Sequence, residues 1–191
     1  MNCSDARVFL LTLVSIILAS TSFASAQIVA FGHSGARGYV MENEMWSAVL
    51  ESMLRARGSQ VHIINAGNNG ETTDKGLARI DSDVPDGTKI VILVYGGGND
   101  GARQGGQAPT SGSADPHTNI EAMKSKIRAR GIRLIDAGPL YRSVGRQPGM
   151  LVNGHLNAEG NRRLAAILAD MVLPRATRTS HHHPFSQHRG V

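Results

Sequence analysis

The 191-residue chain is poor in cysteine, in aromatic side chains and in surplus charge. Its one cysteine, Cys3, lies near the start, so the rest of the chain has no thiol for a disulfide and must be stabilised by a hydrophobic core. Residues 27–173 carry 16 Lys and Arg against 14 Asp and Glu. No basic stripe with interleaved aromatic residues occurs, so the composition gives little support to nucleic-acid binding.

Long apolar runs are scarce as well, and the most continuous one lies at the N-terminus. The run "VFLLTLVSIILAS" (8–20) follows Arg7 and precedes the small residues Ala24 and Ala26. It is shorter than the roughly 20 residues that cross a bilayer. The pattern therefore predicts a cleaved secretory signal over residues 1–26, a periplasmic or secreted location, and no stable membrane insertion after cleavage.

The remaining chain has the length of one domain, which we place at residues 27–173. Residues 174–191 are rich in Pro, Ser, Thr and His and lack apolar periodicity, which predicts a disordered tail. Its three consecutive histidines are interpreted as solvated and not as a metal site. The single tryptophan, Trp46, lies on a helix whose apolar face is used in packing on the sheet, so we expect a monomer.

Strand-like apolar runs alternate with helical patterns through this domain. The runs are "QIVAFG" (27–32), "VHIINAG" (61–67), "KIVILVYGGG" (89–98) and "IRLIDAG" (132–138). Strands that alternate with helices predict right-handed crossovers and a parallel sheet covered on both sides, an α/β fold.

Three helical patterns accompany these strands. Segments 42–58 and 119–131 each place apolar residues on one face, and each ends in Arg-Gly, which is typical of a glycine cap. Segment 139–152 has no regular pattern and is expected to be irregular. Asn157 is a predicted N-cap for a last helix. The apolar positions of the three helices are Met45, Val49 and Met53, then Ile120, Met123 and Ile127, then Leu164, Ile167, Leu168 and Met171.

Polar residues of the kind used in acyl transfer follow the predicted strands. Ser34 in "FGHSGARGY" is a candidate nucleophile, and His155 is a candidate base. Gly70 can offer a backbone N–H and Asn99 a side-chain amide to an oxyanion. Each residue also has an ordinary structural explanation, such as a turn, a helix cap or an Asx turn. Asp100 is expected to organise its loop.

These residues lie in motifs whose order resembles the SGNH, or GDSL-type, hydrolases, in particular their secreted thioesterase I and lysophospholipase branch. The motifs are "FGHSGARGY", "NAGNNGETTDKGLARID", "VYGGGNDG" and "NGHLNAEGNRRLA", and the resemblance covers residues 28–173. The "GHSGA" segment is not the nucleophile elbow of α/β-hydrolases, because Ala36 stands where that motif needs glycine.

The resemblance implies a three-layer α/β/α, flavodoxin-like fold with a parallel sheet. It also implies that Ser34 is the nucleophile, that His155 is the base, and that the Ser34 N–H, the Gly70 N–H and Asn99 form the oxyanion hole. The implied reaction is hydrolysis of small acyl esters, thioesters or lysophospholipids through an acyl-enzyme. It needs no metal or organic cofactor.

The chain departs from the family pattern at two signature aspartates. His33 precedes the serine where the family has aspartate, which changes the hydrogen-bonding capacity of that loop. Val152 replaces the aspartate that orients the base, and Leu156 replaces the proline after His155. Valine cannot hold the imidazole tautomer or stabilise an imidazolium, so the full triad is absent from its expected positions.

Three arrangements would let His155 act without that aspartate. Asn153 or a backbone carbonyl could orient the ring in a Ser-His dyad, Asp136 or another acid could reach it, or His33 could share the role of base. A weak esterase is one prediction. The alternative is a catalytically degraded domain that binds an acylated or carbohydrate ligand.

The Gly-, Ser- and Pro-rich segment 103–117 lies beside the predicted site and is interpreted as a surface loop that can shape substrate access.

Overall fold

The computed structural model describes residues 26–96, 98–103 and 115–173. The predicted tail, residues 174–191, lies outside the described residues, and so does the predicted signal 1–26 except for its last residue, Ala26. Most of the Gly-rich segment 103–117 is also outside them. Within the described ranges, no helix is both long enough and apolar enough to cross a membrane.

Four parallel strands form the central sheet, and their order across it is β2-β1-β3-β4. They are β1 (Ala26–Gly32), β2 (Val61–Gly67), β3 (Thr88–Val94) and β4 (Arg133–Asp136). Strand β1 lies between β2 and β3, with Gly32 opposite Gly67 and Val94. The carboxyl ends of these three strands therefore meet at one edge of the sheet, where ligands bind in folds of this kind.

Helices connect and cover the strands. They are α1 (Ser34–Arg37), α2 (Trp46–Ala56), α3 (Thr73–Asp83), α4 (Gly98–Arg103), α5 (Pro116–Ala129), α6 (Gly138–Gly145) and α7 (Ala158–Val172). A 3-10 turn (Glu42–Glu44) precedes α2, and a short antiparallel hairpin, β5 (Leu151–Val152) with β6 (His155–Leu156), precedes α7.

Alternation along the strands divides the core into two layers. Ile28 and Ala30 of β1 face the layer that contains α2, α6 and α7, whereas Val29 and Phe31 face α3 and α5. Side chains in a strand point to opposite faces in turn, so one buried apolar strand supports both layers. The predicted three-layer α/β/α fold with a parallel sheet is confirmed.

The helix predicted over 42–58 is interrupted near its start. Met45 is extended (φ −62°, ψ 139°) and is the N-cap of α2, not a residue on its apolar face. The Trp46 backbone N–H donates to Asn161 Oδ1 at 3.0 Å and so takes a partner outside the helix. The prediction was correct at the other end, where Gly58 has a φ of 83° after the C-cap Arg57.

Two further predictions about the C-terminal third were wrong. Segment 139–152 contains most of α6 and all of β5 and is not irregular. On α7, Ile167 and Met171 are on the exposed side, because the buried face is completed by Ala165 and Ala169. Small residues there let α7 pack closely on α2. The predicted cap was correct, since the Asn157 side chain accepts from the Gly160 N–H.

The outer edge of strand β2 is covered by side chains from helix α2. Glu51 Oε2 accepts a hydrogen bond from the Ile63 backbone N–H at 2.6 Å, and Arg55 Nε donates to the Val61 carbonyl oxygen at 3.2 Å. Glu51 and Arg55 also pair with each other at 2.8 Å. Among the described strands, none pairs with the outer edge of β2. These two backbone groups are bonded to the neighbouring helix instead.

Gly32 is required by the close approach of strands β1 and β3 at the end that precedes Ser34. A Cβ on Gly32 would lie 2.2 Å from the Val94 carbonyl oxygen, a backbone atom that cannot move aside cheaply. We therefore expect Gly32→Ala to lower the free energy of unfolding by about 2 kcal/mol or more. Urea denaturation checks this, with Gly98→Ala as the control, because a Cβ at Gly98 meets nothing within 4 Å. Equal stability of the two variants would contradict the prediction.

Candidate active site

Ser34 lies at the point where β1 ends and α1 begins. His33 is the N-cap of α1, and its Nδ1 accepts from the Gly35 backbone N–H at 3.0 Å. Ser34 is 7% exposed, and its Oγ is 3.1 Å from His155 Nε2. Among the described residues the one non-glycine with a positive φ is Asn153, so Ser34 is not on a strained nucleophile elbow. The structure brings the two predicted reacting residues within hydrogen-bonding distance.

His155 is held by the tight turn of the β5–β6 hairpin. Asn153 (φ 50°) and Gly154 (φ 79°) both have positive φ, which is typical of a type I′ turn. His155 Nδ1 is 3.0 Å from the Asn153 carbonyl oxygen. A carbonyl can only accept, so Nδ1 carries the proton and Nε2 presents its lone pair to the Ser34 hydroxyl. Asn-Gly is a strong hairpin signal that our sequence analysis did not use.

Of the three arrangements left open for His155, the backbone carbonyl is the one that the structure contains. Asp136 is instead 2.7 Å from Lys124 Nζ and accepts from the Gly138 N–H. Val152 pairs directly with His155 across the hairpin and is 59% exposed. Side chains of directly paired residues lie about 5 Å apart on one face. An aspartate at position 152 would therefore lie beside the imidazole.

Of the predicted oxyanion-hole residues, Ser34 begins α1, Gly70 lies on the loop after β2, and Asn99 lies in α4, which follows β3. Gly70 has a φ of 68°, as expected for a turn glycine. Asn99 Nδ2 donates to the Glu71 carbonyl oxygen at 2.9 Å and thereby ties the two loops together. Asp100 Oδ1 accepts from the Thr73 N–H (3.1 Å) and hydroxyl (2.7 Å). These contacts agree with the expectation that Asp100 organises its loop.

Beneath these loops lies a buried ion pair that the sequence analysis missed. Arg79 binds Glu71 through two nitrogens, at 2.8 and 2.7 Å, and its Nη2 also donates to the Gly32 carbonyl oxygen at 3.1 Å. Tyr95 donates its hydroxyl to the same Glu71 carboxylate. The network therefore joins the ends of β1, β2 and β3. No local spacing relates Glu71 to Tyr95, 24 residues away, so the sequence carries no simple signal for it.

Burial and hydrogen bonding act in opposite directions on this ion pair. Burial alone would raise the pKa of Glu71, but hydrogen bonds from Arg79, Tyr95 and Asn68 outweigh it and lower the pKa. Burial alone would lower the pKa of Arg79, yet its bonds to Glu71 and Asp83 raise it. Burial raises the pKa of Tyr95, and the bond to the Glu71 carboxylate adds to the effect. Glu71 and Arg79 are therefore charged and Tyr95 neutral across the ordinary pH range.

His33 faces two backbone amides at once. Besides the Gly35 N–H at Nδ1, the Gly96 N–H points at its Nε2 from 3.2 Å. A neutral imidazole has one acceptor nitrogen, so it can satisfy only one of the two donors, whereas an imidazolium satisfies neither. Burial lowers the pKa of His33, and the nearby His155 lowers it further. Both ring nitrogens of His33 are thus directed at backbone amides.

Trp46 and Asn161 join the loop of Ser34 to the strand of His155. Trp46 Nε1 donates to the Gly35 carbonyl oxygen at 2.9 Å, and the Trp46 backbone N–H donates to Asn161 Oδ1. Asn161 Nδ2 in turn donates to the Leu156 carbonyl oxygen at 2.9 Å. These bonds connect the neighbour of Ser34 to the neighbour of His155. The sequence predicted only apolar packing for the helix of Trp46 and no role for Asn161.

In the ranges that the structure describes, no group of three His, Cys, Asp or Glu side chains is arranged to hold a metal ion. The geometry around Ser34 consists of hydrogen-bond donors, one imidazole and a hydroxyl. Such a set can perform acyl transfer by nucleophilic attack and proton transfer.

Loss of Asn161 should separate Ser34 from His155. Asn161→Ala leaves the Trp46 N–H and the Leu156 carbonyl without partners, so we expect a loss of about 2 kcal/mol in stability. We also expect Ser34 to react about tenfold or more slowly with a fluorophosphonate, because small misplacements of reacting groups are costly. Thr88→Val is the control, since the buried Thr88 hydroxyl bonds to Pro85 at the opposite end of the sheet. Equal labelling rates in the two variants at matched folded fractions would refute the role given to Asn161.

His33 should make stability depend on pH. Its folded-state pKa lies below the unfolded value of 6.5, so the unfolded chain binds the proton more readily. The stability that comes from the neutral ring is complete above about pH 6.5 and is lost as pH falls through the folded-state pKa. His33→Asn keeps an acceptor for the Gly35 N–H and should flatten this dependence in urea denaturation from about pH 7.5 to about 5. A pH dependence as steep in His33→Asn as in the parent would contradict this prediction.

Comparison with known proteins agrees with this geometry. The model of the GDSL-like lipase/acylhydrolase family matches residues 30–175. Esterase TesA of Pseudomonas aeruginosa is 28% identical over 126 residues, which are 65% of this chain and 60% of that protein. An arylesterase of Vibrio mimicus is 36% identical over 87 residues, 45% of this chain and 44% of that protein. The chain thus spans about half the length of these curated relatives.

A solved structure extends the similarity to the fold. The crystal structure of TesA superposes with a TM-score of 0.61 at 23% identity, over 78% of this chain and 98% of that one. At this level of identity the superposition shows a shared fold. Since the family model spans both Ser34 and His155, the chain belongs to the GDSL-like lipase/acylhydrolase family, the SGNH hydrolases.

Proposed function

We propose that this chain is an exported serine esterase that hydrolyses small acyl esters, thioesters or lysophospholipids through a Ser-His dyad. The observation that carries the proposal is the 3.1 Å contact between Ser34 Oγ and His155 Nε2, made by a ring whose other nitrogen donates to a backbone carbonyl. Family membership and the names of the two relatives support esterase chemistry. The apolar N-terminal segment supports export.

Acylation begins with proton transfer from Ser34 to His155. Because the Asn153 carbonyl fixes the proton on Nδ1, the Nε2 lone pair is available to accept the hydroxyl proton as Oγ attacks the ester carbonyl carbon. The carbonyl double bond becomes a C–O⁻ single bond in the tetrahedral intermediate. His155 is then an imidazolium whose Nε2–H can be given to the leaving group.

Three hydrogen-bond donors are assigned to stabilise the oxyanion. We assign the Ser34 N–H, the Gly70 N–H and the Asn99 side-chain amide to this role. Asn99 uses one of its two amide hydrogens on the Glu71 carbonyl, which fixes the direction of the second. Donors held in place before the reaction need no reorganisation as charge develops on the oxygen.

The cycle closes by hydrolysis of the acyl-enzyme. Transfer of the Nε2 proton to the leaving oxygen or sulfur allows the intermediate to collapse and release the alcohol or thiol. A water molecule then gives a proton to His155 as it attacks the acyl carbon, and the second intermediate returns Ser34 and a carboxylic acid. No metal or cofactor takes part in this sequence.

The absence of an aspartate beside His155 should slow this cycle without abolishing it. In serine hydrolases the loss of that aspartate costs about 10⁴ in turnover when the wrong imidazole tautomer results. Here the Asn153 carbonyl keeps the productive tautomer, so the cost is limited to the missing negative charge. We therefore expect the parent to be slow but active.

Hydrolysis of p-nitrophenyl butyrate tests the proposal directly. Ser34→Ala should abolish turnover, and Val152→Asp should raise kcat by about tenfold or more, because a carboxylate beside His155 would stabilise the imidazolium. Val152→Asn is the matched control, since it adds a polar side chain of similar size without charge.

The proposed activity would be contradicted if the parent were inert and only the Val152→Asp variant showed Ser34-dependent turnover. That result would favour the other hypothesis, a domain of this family that binds an acylated or carbohydrate ligand without turning it over. Turnover that survives Ser34→Ala would exclude Ser34 as the nucleophile.

A further inference from the structure

We propose that the leaving group of the substrate is apolar and binds in a cavity between the loop after α1 and the β5–β6 hairpin. This inference rests on the proposed esterase function and narrows its substrate class. It assigns specificity to Tyr39, Val40 and Val152, none of which takes part in the chemistry itself.

The cavity has a volume of about 560 Å³ and reaches His155. Its described lining is apolar at Tyr39, Val40, Val152 and Leu156 and polar at Asn153, His155 and Asn157. The rings of Tyr39 and His155 are 4.2 Å apart between centroids. Tyr39 is 57% exposed and Val152 is 59% exposed, so both have apolar surface that a ligand can cover. Apolar surface of this kind beside a reacting group is typical of a binding site.

The position of the cavity relative to His155 decides which part of the ester it receives. His155 Nε2 gives its proton to the leaving atom, so the leaving group must lie against the imidazole. The proposed oxyanion donors Gly70 and Asn99 lie on other segments, which follow β2 and β3. The described lining of the cavity includes the imidazole but neither of these donors. The cavity is therefore on the leaving-group side.

The lining also defines the chemistry of that group. The described residues around the cavity include no carboxylate, ammonium or guanidinium side chain. A charged leaving group, such as the phosphodiester of a lysophospholipid, would lose solvation there without gaining an ionic partner. Val152 contributes a methyl surface at the position where the family pattern has an aspartate. An aromatic or aliphatic alcohol or thiol fits this wall, and Tyr39 offers a ring face for stacking.

Two pairs of esters test the inference in the purified chain. Phenyl and 2-naphthyl butyrate share an acyl group and have leaving groups of similar acidity, but 2-naphthol has more apolar surface. We expect kcat/KM for the naphthyl ester to be about tenfold higher, as for burial of about two additional methylene groups. 2-Naphthyl acetate and hexanoate vary the acyl chain with the leaving group fixed.

Val152→Thr is isosteric and exchanges one methyl group for a hydroxyl. It should reduce the naphthyl-to-phenyl ratio to about threefold and leave the hexanoate-to-acetate ratio unchanged, because only leaving-group contacts are weakened. Ile167→Thr, at an exposed β-branched residue of α7, is the control and should change neither ratio.

Each other outcome contradicts the inference in a recognisable way. Equal kcat/KM for the phenyl and naphthyl esters, with Ser34-dependent turnover, would overturn it and leave the proposed esterase function standing. A change in the acyl-chain ratio of Val152→Thr would place the acyl group in this cavity instead. Absence of Ser34-dependent turnover of every ester would overturn the inference together with the proposed function.

Discussion

The hydrogen bond between His155 Nδ1 and the Asn153 carbonyl oxygen is the interaction on which the site depends. It sets the tautomer that directs the Nε2 lone pair to Ser34. Because the acceptor is main chain, the orientation of the imidazole follows from the shape of the hairpin. That shape is held by Asn161, which binds the Leu156 carbonyl, and by the Tyr141 hydroxyl, which accepts from the Leu156 N–H at 3.1 Å.

A carbonyl and a carboxylate do different things for a histidine base. Both select the tautomer, but only the carboxylate offers a full negative charge to the imidazolium. Here position 152 is apolar and half exposed, and the same valine forms part of the cavity beside His155. The chain thus places an apolar surface beside His155, and Val152 supplies no negative charge to its ring. Both properties come from the same residue.

The fold was largely predictable because strands buried on both faces give continuous apolar runs. Helices buried on one face give apolar residues at a regular helical period. The ends of elements were less predictable, since Met45 is extended for a tertiary reason, the capture of the Trp46 N–H by Asn161. The pairing of Ser34 with His155 was expected from motif order, and the structure places the two side chains together. The sequence did not identify the group that orients His155, because the backbone carbonyl that does so is not marked by any particular side chain. The bonds of Tyr95 to Glu71 and of Gly96 to His33 join segments that meet only in the folded chain.

The side chains of Glu51 and Arg55 along strand β2 have a consequence for how the chain behaves among copies of itself. An open strand edge invites a strand from another molecule to extend the sheet. Here the Ile63 N–H and the Val61 carbonyl are already bonded to α2, so an incoming strand would first have to break those contacts. The bonds between α2 and β2 thus block growth of the sheet from one molecule into the next at β2. This protection against association matters most when many copies are crowded together, in a chain without disulfides in its folded domain.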